Sequence, residues 1–103
     1  MELTVTERLV LLQLLPQEGD YTTLKIVRRL REELSFDEGE HAALGFVQDG
    51  ERIHWNPETD LGKEIDFGGK AHSIVVDKLE ELNKKGALCE EHVPLYEKFG
   101  LGD

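Results

Sequence analysis

Cys89 and His92 carry the C-x2-H spacing of half a zinc site, and His41, His54 and His72 are the other imidazoles available to complete it. A structural zinc site draws paired Cys or His ligands from both of its halves. The second pair is missing from the sequence, so the expectation is surface histidines and no bound metal. Nothing beside Cys89 would lower its pKa into the range of a nucleophile. Asp66-Phe67-Gly68 spells the metal-binding tripeptide of protein kinases, but no Gly-rich loop, strand lysine or catalytic loop precedes it and the chain is too short for that fold. The acid-rich stretch 56–60 lacks the ligand spacing of a calcium loop. No catalytic, cofactor-binding or metal-ligating constellation is therefore expected, and an enzyme is not the reading these residues support.

Charge is distributed more informatively. Up to Arg31 there are five basic residues against four acidic; from Glu32 onward there are seven against eighteen, which together give the net charge of −10. Phosphate backbones are bound by positive surfaces that release counterions, so nucleic acid is an improbable partner for the molecule as a whole. Two sets of charged residues remain candidates for contact with a partner. Lys25, Arg28 and Arg29, with Arg31, form a basic stretch that would otherwise be a solvated helix face interacting locally with Glu32 and Glu33. Glu38, Glu40, Asp49 and Glu51 are spaced carboxylates of the acidic portion, able to attract a basic protein. Both sets are expected to be exposed and unimportant for folding.

These side chains must be positioned by one small domain, residues 1–103, of 39% hydrophobic and 33% charged residues. Thr4 to Glu7 reads as a capping box opening a helix that Pro16 ends, with Val5, Leu9 and Leu12 on one face. Asp20 or Thr22 caps a second helix, whose core stripe is Leu24, Val27, Leu30 and Leu34. Ser35 to Glu38 reads as another capping box, starting a short third helix that stops near Gly45. From Phe46 the period changes to two. Asp49-Gly50 would supply a type I′ turn, placing Phe46 opposite Ile53 and putting Phe46, Ile53 and Trp55 on a buried side over the core. Asn56-Pro57 forces an irregular passage, and Lys63 to Phe67 alternates as a third short strand. A long helix over Lys70–Lys85 carries Ala71, Ile74, Val75, Leu79 and Leu82, Gly86 stops it, and a last short helix holds Leu95, Tyr96 and Phe99.

The expected fold class is α+β and mostly helical: three N-terminal helices, a β-hairpin with a short third strand, and two C-terminal helices. Three helices followed by a hairpin is a winged-helix-like order. A groove-reading third helix would carry Arg, Lys, Asn or Gln, whereas residues 36–44 hold three acids and no base. No apolar run approaches the about 20 residues that span a bilayer, no signal peptide is evident, and a lone cysteine fits a reducing cytoplasm. Leu3 to Arg8, Leu14 to Asp20, Ile53 to Glu58 and Leu95 to Phe99 resemble a group of small phage and prophage proteins of unknown function. That resemblance implies a phage accessory protein acting through contact with another protein. The expected function is thus a non-enzymatic interaction or regulatory module without cofactor. Its alternatives are an acidic nucleic-acid mimic that inhibits a host DNA- or RNA-binding protein, and a winged-helix-like DNA-binding regulator.

Overall fold

A computed structural model describes residues 1–56, 58 and 62–102. The elements are β1 (Glu2–Leu3), α1 (Val5–Leu14), α2 (Tyr21–Leu34), α3 (Glu38–Leu44), β2 (Val47–Asp49), β3 (Arg52–His54), β4 (Lys63–Glu64), α4 (Gly68–Lys84), a 3₁₀ turn (Glu90–His92) and α5 (Val93–Lys98). This is an α+β fold with small antiparallel pairs beside a helical body. Pro57, Thr59 and Asp60, on which the irregular passage and the acidic stretch were read, lie outside the described residues.

The helix ends follow local chemistry. Thr4 and Glu7 form the expected capping box, the Thr4 hydroxyl accepting from the Glu7 amide and the Glu7 carboxylate from the Thr4 amide. Asp20 caps α2 by accepting from Thr23, so of the two expected caps it is the Asp that acts. The third cap lies two residues later than the sequence suggests. Ser35 closes α2, its hydroxyl donating to the Arg31 carbonyl at 2.6 Å, and Asp37 with Glu40 forms the box that opens α3. Gly45, at φ +61°, stops α3 in the left-handed conformation that costs a residue with a Cβ about 1 kcal/mol or more.

Leu11, Leu30 and Leu79 lie at the centre of the core, each without solvent exposure. Around them α1 packs against α2 and α4, and α2 against α4. Leu95 and Phe99 of the C-terminal segment close one end, where the Phe99 ring meets Phe67 edge-on at 5.2 Å between centroids. Truncating any of these leucines to Ala is expected to cost about 2–5 kcal/mol. Leu24, placed in the stripe of α2 by its spacing, is instead 38% exposed, on the first turn of α2 where it borders an open cleft beside Pro16.

The short strand after the hairpin joins β1, not the hairpin. Leu3 pairs with Lys63 and Glu2 with Glu64, and the Ile65 amide continues the ladder to the Met1 carbonyl. Ile65 and Phe67, next along the chain, turn into the core. The hairpin therefore stands as a separate two-stranded ribbon, tied to α3 by the Asn56 amide donating to the Leu44 carbonyl.

Candidate functional site

Arg8 sets the geometry beside the hairpin. Its position, three residues from both Val5 and Leu11, places it on the apolar side of α1, and its side chain is 3% exposed. Charges at such depth are retained only when paired and hydrogen-bonded. Nε donates to the Leu34 carbonyl at 3.1 Å and Nη2 to the Ser35 carbonyl at 2.7 Å, while Nη1 and Nη2 grip the Glu40 carboxylate. The guanidinium also lies over the Phe36 ring, 3.9 Å from its centroid. One side chain thus joins α1 to the end of α2, the connecting turn and α3. The Arg8 hydrogen bond holds the Glu40 carboxyl below the usual carboxylate range against the opposing effect of its burial, with the Asp37 amide assisting.

Fixing Phe36 in this way builds a second apolar cluster apart from the main core. Phe36 and Phe46 meet edge-on at 5.0 Å, His41 and Phe46 at 5.2 Å, and Trp55 lies 6.1 Å from Phe46. Phe46, Ile53 and Trp55 do share one side of the ribbon, but its register differs from the expected one. Gln48 pairs with Ile53 and Asp49 with Arg52, so the turn is Gly50-Glu51. A type I′ turn on Asp49-Gly50 needs positive φ at both residues; here Gly50 alone has it, at +63°, as at the first position of a type II′ turn. Moving the turn by one residue displaces the pairing by two, which leaves the faces unchanged. The side does not cover the main core as expected. Phe46 and Trp55 are half-buried and Ile53 is 45% exposed, and with Leu9, Phe36, His41 and Gln48 the ribbon lines a concavity of about 280 Å³, while Val47, paired with His54, faces the other way.

No family model matches this chain, and no match was found among curated proteins or solved structures. The site is therefore read from its own residues. Glu38, Asp49 and Glu51 are exposed as expected, Glu38 on the first turn of α3 and the other two at the ribbon tip. Glu40 is not available in the same way, since it is committed to Arg8 and to the cap of α3. Lys25 and Arg28 are exposed without an ion-pair partner among the described residues, and Arg28 and Arg31 border an open cleft of about 640 Å³ whose apolar side is Pro16 and Leu24. Arg29 departs from the expectation for its set: it donates to the Asp66 and Phe67 carbonyls at 3.2 and 2.8 Å and pairs with Glu33. It anchors the entry to α4, so reversing its charge is not neutral for folding.

Cys89 is exposed, and its amide donates to His92 Nδ1 at 2.9 Å, which closes the 3₁₀ turn. His41 meets the aromatic cluster edge-on, His72 lies against Phe99, and His54 Nε2 is 4.0 Å from Asp49. Among the described residues no three His, Cys, Asp or Glu side chains converge as metal ligands, and none of the helices is long and apolar enough to cross a membrane.

Proposed function

We propose that this chain is a non-enzymatic, cytoplasmic protein-interaction module whose contact surface is the aromatic concavity between α3 and the β2–β3 ribbon. The observation that carries this reading is the apolar cluster left half-open outside the core, with Ile53 exposed in its wall. Contiguous apolar surface of that kind marks contact sites, and large aromatics in a pocket are the residues that dominate binding energy. Capture of a partner from cell lysate tests it with wild type against an Ile53→Asp variant. Ile53 is 45% exposed, so the variant is expected to fold and to lose the partner; a partner retained equally by wild type and variant sinks the reading.

An acidic decoy of a nucleic acid is the second reading, supported by the exposed Glu38, Asp49 and Glu51. It is separated from the first by the captured protein. A decoy captures a nucleic-acid-binding protein that added duplex or RNA displaces in competition, whereas a partner held by the concavity alone is not displaced.

A further inference from the structure

We infer that the concavity takes a basic segment of its partner, anchored by one apolar side chain with lysine or arginine beside it; this rests on the interaction reading above. The volume of about 280 Å³ lies just under the roughly 300–1,000 Å³ of small-molecule sites, which suits a side-chain anchor. Leu9, Phe36, Phe46 and Ile53 make its walls apolar, so the anchor is apolar too. Its surroundings select the charge. Residues 36–54 hold Asp37, Glu38, Glu40, Asp49 and Glu51 against Arg52, and Arg8 and Lys63, the cations brought in from elsewhere in the chain, both pair with Glu40. Glu38 stands one helical turn before His41, on the same side of α3, and Glu51 stands in the turn that leads to Ile53. Neither carboxylate has an ion-pair partner among the described residues, and the net charge of −10 draws cations toward the whole molecule. The cleft beside Arg28 and Arg31 would instead take an acidic segment, and it would do so against that field.

Amide chemical shifts of the full chain, titrated with a synthetic amphipathic lysine–leucine peptide and with its glutamate–leucine counterpart, test this directly. The lysine peptide is expected to shift Leu9, Phe36, His41, Phe46 and Ile53, and the glutamate peptide to leave them unmoved. Ile53→Asp, or Gln48→Arg at the mouth of the concavity, should weaken the lysine peptide about ten-fold while preserving the dispersion of the spectrum. Glu38→Gln with Glu51→Gln should weaken it about three-fold, and more than the charge-matched pair Glu80→Gln with Glu90→Gln. If Ile53→Asp weakens binding but the two neutralised pairs are equivalent, the inference about a basic partner falls while the interaction surface stands. A concavity untouched by the lysine peptide overturns the inference, as does a glutamate peptide that shifts Arg28 and Arg31 in its place.

Discussion

Arg8 and Glu7 are the charged residues with the least solvent exposure among those described, at 2% and 4%, and both sit on the apolar side of α1. The spacing that places them there is visible in the sequence: Glu7 precedes Leu11 by four, and Arg8 follows Val5 by three. Their partners are not visible, because Lys98 lies 91 residues from Glu7 and Glu40 lies 32 from Arg8, and no local pattern encodes such pairs. Removing Arg8 withdraws the donors to two carbonyls and leaves Glu40 beside an apolar cluster, so Arg8→Ala is expected to cost about 3 kcal/mol in urea unfolding. Arg8→Lys should cost nearly as much, since an ammonium cannot satisfy three acceptors held in a fork. Glu40 also makes stability depend on pH. Its carboxyl is more acidic folded than unfolded, so its contribution is fully present above the ordinary glutamate value of about 4.3 and is lost as pH falls through the depressed one. The difference in unfolding midpoint between wild type and Glu40→Gln should accordingly be present at neutral pH and shrink toward about pH 3; a difference independent of pH would contradict the pairing with Arg8.

At the scale of elements, the helices were legible and the ribbon was legible in part. The 3.6 period places α1, α2 and α4 within a residue or two, helped by side-chain caps at the starts of α1 and α2, because both signals are local. Ser35-x-x-Glu38 and Asp37-x-x-Glu40 are overlapping capping-box patterns before α3, and the second is the one that forms. In the ribbon, alternation fixed which residues share a side, yet the turn was misplaced because Asp49-Gly50 and Gly50-Glu51 are both plausible two-residue turns. In the structure Gly50 takes the positive φ and Asp49 stays in the strand, paired with Arg52. Gly50→Ala puts a Cβ where φ is +63° with no atom within 4 Å, so it is strained by its backbone alone. It is expected to cost about 1 kcal/mol. Hydrogen exchange should show the loss confined to Val47–His54, with α1, α2 and α4 protected as before; uniform loss of protection would mean that the ribbon and the helical body unfold as one unit.

At the scale of the whole molecule, the pairing of β1 with β4 joins the start of the chain to its middle, and two-residue strands carry no period by which a sequence could announce it. Net charge, by contrast, needs no structure to be read, and the structure makes its consequence sharper. Of the basic stretch on α2, Arg29 is held by the carbonyls before α4, leaving Lys25, Arg28 and Arg31 as cations without an ion-pair partner there. A duplex contacted by at most those three would release few counterions, giving a slope of log affinity against log salt no steeper than about −3. Three contacts cannot offset the repulsion of a molecule carrying −10, and the third helix, Glu38–Leu44, offers two glutamates and no Arg or Lys to a groove. Titration of labelled duplex DNA at physiological salt is therefore expected to show no submicromolar binding, with any association at low salt abolished by Arg28→Glu and Arg31→Glu. Tight binding with a slope near −6 or steeper would mean that more cations reach phosphate than the surface of α2 provides, and would return the winged-helix order of the elements to the centre of the functional account.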